Sequence, residues 1–72
     1  MFTVEEKNVL TNVEQEMRNA KSINTINKVY RQSRNWARYH CYFANACSPE
    51  RCTELNKQFK VIKNDAIESL RG

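Results

Sequence analysis

Residues Ser22 to Cys47, SINTINKVYRQSRNWARYHCYFANAC, decide the fold and point to the surface that matters. They hold every tryptophan and tyrosine of the chain, two of its three cysteines and its one histidine, with no Asp or Glu. Their formal charge of +4 equals the net charge of the 72-residue chain. Projected at about 100° per residue, the segment divides into two faces. Ile26, Val29, Tyr30, Ser33, Trp36, Ala37, His40, Phe43, Ala44 and Cys47 share one, at the three-and-four spacing of a helix packed on a core. Arg31, Arg34 and Arg38 share the other, flanked by Asn27, Asn35, Tyr42 and Asn45. Neighbouring guanidinium groups at this spacing repel, and no acid on the segment offsets them.

Outward from this segment, the flanks carry helix punctuation. Towards the N-terminus, Thr3 followed by Glu6 reads as a capping box, with Glu5 adding negative charge at the positive end of a helix dipole. Leu10, Val13, Met17 and Ala20 then recur at helical spacing, with Phe2 and Val9 as flanking contacts. The cluster of Ser, Asn and Thr between Lys21 and Thr25 predicts a break, since these residues cap helices better than they continue them. One bent helix through this point is the alternative. Towards the C-terminus, Ser48-Pro49-Glu50 places a capping hydroxyl before a proline whose missing N–H costs nothing at a first helical position. Cys52, Leu55, Phe59, Ile62, Ala66 and Leu70 form the apolar side of the helix that follows, and Val61 projects away from it.

The expectation is an all-α fold over residues 1–72 as a single domain. It is a small three-helix bundle with helices near 4–20, 23–46 and 49–70, the second and third forming a long antiparallel hairpin. With one Gly and one Pro the chain lacks the turn residues of a sheet protein. Nine asparagines make its helices depend on packing more than on propensity. A core from so short a chain is thin, which predicts a homodimer. Three cysteines cannot all pair within one chain, so reduced thiols in a cytoplasmic protein are expected. The longest apolar run falls far short of the roughly 18 residues of a membrane span.

No catalytic, metal-binding or phosphate-loop pattern is legible, and no enzyme activity, metal or cofactor is expected. His40, Cys41, Cys47 and Cys52 lack the CxxC pairs of structural zinc sites, and a straight helix puts Cys41 well away from Cys47. A Cys47–Cys52 disulfide across the turn would close only a very short loop. His40 reads as a satisfied core histidine. Cys52 lies in a first helical turn, where the dipole favours a thiolate, but no Cys–His catalytic signature accompanies it.

The expected partner-binding residues are Arg31, Arg34, Arg38, Tyr39, Tyr42, Asn35 and Asn45. Guanidinium forks suit carboxylate or phosphate, and Tyr with Arg is enriched at binding hot spots. The leading expectation is a regulator, inhibitor or adaptor docked on an acidic protein surface. Alternatives are a nucleic-acid-binding module, consistent with a pI of 9.2, and a binder of a small anionic ligand such as a nucleotide. Against DNA reading stands the missing helix-turn-helix pattern, and no glycine-rich loop accompanies the arginines for a nucleotide. In size and helical character the chain resembles small free-standing regulators such as those of phages, a resemblance of type only.

Overall fold

The computed structural model describes residues 2–71. Helix α1 spans Val4–Asn19, α2 spans Ile23–Arg38 and continues into a π-helical turn at Tyr39–Phe43, and α3 spans Pro49–Arg71. The three helices form a bundle 38 × 19 × 16 Å in extent, with α2 and α3 as the more extensive packed pair. No described helix is long and apolar enough to cross a membrane.

The starts of all three helices follow from local chemistry. Thr3 Oγ1 accepts the Glu6 N–H at 3.2 Å while Glu6 Oε1 accepts the Thr3 N–H at 3.0 Å, the reciprocal capping box. Ala20 and Lys21 leave the helical region, and α2 restarts at the Ser22 cap, whose Oγ accepts the Thr25 N–H. The expected break between the first two helices is therefore present. Ser48 Oγ accepts the Arg51 N–H, and Pro49 opens α3.

Met17, Ile26, Leu55 and Phe59 are fully buried at the centre, one or two from each helix, and Val13, Val29, Ala37 and Ala66 complete the core around them. Complete burial of such side chains contributes about 1.5–3 kcal/mol each before chain entropy is set against it. The small Ser33 and Ala37 occupy the inner face of α2, and Ser33 satisfies its hydroxyl by donating to Val29 O at 2.8 Å. Val61 is exposed, as its position predicts, whereas Leu70, expected on the packed side of α3, is exposed as well. Residues 68–71, the last turn of the 23-residue α3, are exposed.

The expectation of a helix to residue 46 is corrected. The α-helical bonding ends at Arg38, Ala44 N–H reaches back to Tyr39 O, and Ala46 N–H reaches back to His40 O. Asn45, at φ 52°, takes the left-handed conformation that asparagine tolerates and stops the helix. The wider turn advances each residue by less rotation than an α-helix does, so the projection slips. Cys41 turns into the core, whereas Phe43 and Ala44, expected inside, are exposed, and Trp36 is only partly buried. Chain reversal also brings Cys41 to Cys47 with Cα atoms 4.7 Å apart, joined as a disulfide. In a straight helix they would be separated by about 9 Å of rise alone. The expectation of three free thiols is thus overturned, and Cys52 alone is free and buried.

Candidate functional site

The basic face of α2 meets the N-terminal half of α3 along an open groove of about 420 Å³. Arg31, Arg34, Asn35 and Arg38 line it from α2, Tyr42 from the π-turn, and Cys52, Thr53 and Asn56 from α3. No carboxylate is in that lining. Among the described residues none of the three arginines forms an ion pair. The groove thus presents three unneutralised guanidinium groups beside amide and hydroxyl side chains. Arg34 lies 5.7 Å from the centre of the Tyr30 ring, whose other visitor is Lys63 Nζ at 4.6 Å. At the groove's inner wall Cys52 Sγ approaches Ala37 O and Asn56 Nδ2, each at 3.8 Å, and Asn56 Oδ1 is buried without a protein partner.

Five of the seven expected binding residues therefore come together here. Tyr39 does not join them: its ring stacks on Phe43 with centroids 5.9 Å apart, and both side chains are largely exposed. Asn45 does not either, and its role is the backbone turn that ends the π-helical segment.

A second polar cluster lies beneath the same end of the bundle. Glu6 is completely buried, and its Oε2 is 2.7 Å from His40 Nε2. Arg51 Nε sits 3.2 Å from both carboxylate oxygens, and Arg51 Nη2 donates to Ala46 O at 2.6 Å. The Trp36 ring lies flat against the His40 imidazole with centroids 4.6 Å apart. Burial alone drives the Glu6 carboxyl towards its neutral form, but the Thr3 N–H, His40 and Arg51 together outweigh that, so its pKa is lowered. A buried charge survives only when paired and hydrogen-bonded in this way. No protein-family model, curated protein or solved structure matches the chain.

The sequence reading missed Glu6 and Arg51 as members of this cluster. One trace of Glu6 is present in the sequence: positions 6, 10, 13 and 17 form one apolar stripe of α1, and an acid stands at its head. Arg51 carries no comparable local mark.

Proposed function

We propose that this is a small non-enzymatic regulator, inhibitor or adaptor that docks on an acidic partner protein through the basic face of α2. The observation that carries this reading is the convergence of Arg31, Arg34 and Arg38 with Asn35 and Tyr42 on one groove that has no acid in its lining. Forked guanidinium donors favour the side-chain carboxylates of such a partner, and Tyr42, 60 % exposed, adds contact area at little entropic cost. Behind it stand a nucleic-acid-binding module and, third, a binder of a small anionic ligand, for which the open groove of about 420 Å³ offers room. Capture from native lysate, with nuclease and with R31Q/R34Q/R38Q as the control, is the test. One stoichiometric acidic protein retained by the native chain alone, after nuclease, supports protein docking. Loss of every partner after nuclease points to nucleic acid instead.

We also propose that the chain self-associates as a homodimer. Supporting this, Tyr39, Phe43 and Val61 are 62 %, 73 % and 48 % exposed, which is costly apolar surface for so small a bundle. Sedimentation that finds only the 8.5 kDa species at high micromolar concentration removes this part of the proposal.

A further inference from the structure

We propose that the reduced protein binds one zinc-class divalent cation through Glu6, His40, Cys41 and Cys47, and that the Cys41–Cys47 disulfide is the closed, metal-free form of that site. The inference stands apart from the docking groove and does not depend on it. A carboxylate oxygen of Glu6, a ring nitrogen of His40 and Sγ of Cys47 already lie within 4.8 Å of one another. Cys41 Sγ lies one bond from Cys47 Sγ, outside that trio, and turns towards it once the bond is reduced. Tetrahedral zinc with its usual bond lengths requires ligand atoms about 3.3–3.8 Å apart. The 2.7 Å Glu6–His40 contact therefore opens by about 0.6–1.1 Å to admit an ion, and the two sulfurs part by side-chain rotation.

The surroundings fit a metal centre better than an isolated ion pair needs. Glu6 and His40 are buried, Cys41 is buried and Cys47 is half-buried, so the ligands need little desolvation on binding. Glu6 Oε1 is held by the Thr3 N–H, leaving Oε2 on the His40 side. Arg51 remains as an outer hydrogen-bond donor to the carboxylate, the kind of support ligating carboxylates usually have, and Trp36 fixes the plane of the imidazole. Two thiolates, one carboxylate and the Arg51 guanidinium balance a divalent cation and a neutral imidazole to zero net charge. Two sulfurs, one nitrogen and one oxygen favour zinc over the hard cations magnesium and calcium.

The redox step is ordinary thiol–disulfide exchange. A dithiol reductant supplies two electrons and two protons, the Cys41–Cys47 S–S bond breaks as the reductant's own forms, and the two thiol protons pass to solvent when the metal binds.

The test is titration of the chain with Co²⁺ and then Zn²⁺, comparing a phosphine-reduced sample with an oxidised one. The expected result is a 1:1 tetrahedral Co²⁺ spectrum with thiolate charge-transfer absorption in the reduced sample, displaced by one equivalent of Zn²⁺, and nothing comparable in the oxidised sample. C52S should bind as the native chain does. E6Q should weaken binding at least about 10-fold, and C41S/C47S should abolish the charge-transfer band, with circular dichroism checking that each remains helical. Absence of the tetrahedral spectrum from the reduced native chain overturns the proposal, and so does its persistence in C41S/C47S. The comparison of two redox states of one sequence needs no variant to fold.

Discussion

His40 Nε2 and Glu6 Oε2 meet at 2.7 Å across 34 residues of sequence, tying the first turn of α1 to the π-helical end of α2. Arg51, in the first turn of α3, reaches the same carboxylate across 45 residues. One buried acid thus joins all three helices at one end of the bundle, beneath the turn that carries the disulfide. The antiparallel arrangement of α2 and α3 makes this geometry available. It brings the end of α2 and the beginning of α3 beside the beginning of α1.

Removing the carboxylate should therefore cost more than any single surface change. Glu6→Ala leaves His40 and Arg51 facing an unfilled site, and breaking a buried pair in this way costs about 3–5 kcal/mol. Glu6→Gln keeps the shape and an acceptor, and should cost about 1–3 kcal/mol. Denaturant melts of both variants check this. A Glu6→Ala variant as stable as the native chain removes the cluster from the account of the fold.

The same residue gives the disulfide form a pH dependence of known sign. The folded pKa of Glu6 is lowered, so the folded protein binds fewer protons here than the unfolded chain does. Its contribution is complete above the unfolded value of about 4.3 and is lost as the pH falls through that value towards the folded one. Native and E6Q stabilities should differ most near neutrality and converge in acid. Parallel curves from pH 7 to pH 3 would exclude the assignment, because the exposed carboxylates are common to both proteins and cancel.

The Cys41–Cys47 bridge has a sequence separation of six and closes a small loop, which limits how much it restricts the unfolded chain. Chain-entropy reasoning gives about 2 kcal/mol for a loop of that size. For a domain of this length that corresponds to a drop in Tm of about 10 °C on reduction in the presence of a chelator. Zinc added to the reduced protein should recover part of the loss, since binding to the folded state alone stabilises it. Identical melting of reduced and oxidised samples argues against any structural role for the bridge.

The parts of this fold legible in the sequence are those written locally. The Thr3–Glu6 box, the Ser22 cap and the Ser48-Pro49 start each need only neighbouring residues, and the apolar stripes need only a period. The end of α2 was not legible in this way. Asn45 is a common helix stop, but nothing nearby marks a π-turn, and continuing the α-helical projection through residues 39–46 put Phe43 inside and Cys41 outside. The groove was half legible: Arg31, Arg34 and Arg38 declare a face, whereas Thr53 and Asn56 join it only through packing of α3. Glu6 declares its backbone role at N3 locally, whereas its second role depends on partners 34 and 45 residues away.

The four arginines of this end of the bundle should separate cleanly by stability. Arg51 is held at 3.2 Å from a fully buried carboxylate and at 2.6 Å from Ala46 O, so Arg51→Gln should destabilise by about 2–4 kcal/mol. Arg31, Arg34 and Arg38 have no such partner. Their replacement by Gln removes two repulsions at helical three-and-four spacing, worth about 0.2–0.5 kcal/mol each. It also removes the Arg34 approach to Tyr30 at 5.7 Å, worth about 0.5–1 kcal/mol at an exposed site, while Lys63 keeps its closer place over that ring. These opposing contributions nearly cancel, so R31Q/R34Q/R38Q should melt within a few degrees of the native chain while its partner binding falls. Raised salt should narrow even that difference, because the repulsions are exposed and screened. A triple variant that melts as low as Arg51→Gln would show the groove arginines to be structural, and the docking surface would have to be sought elsewhere on the molecule.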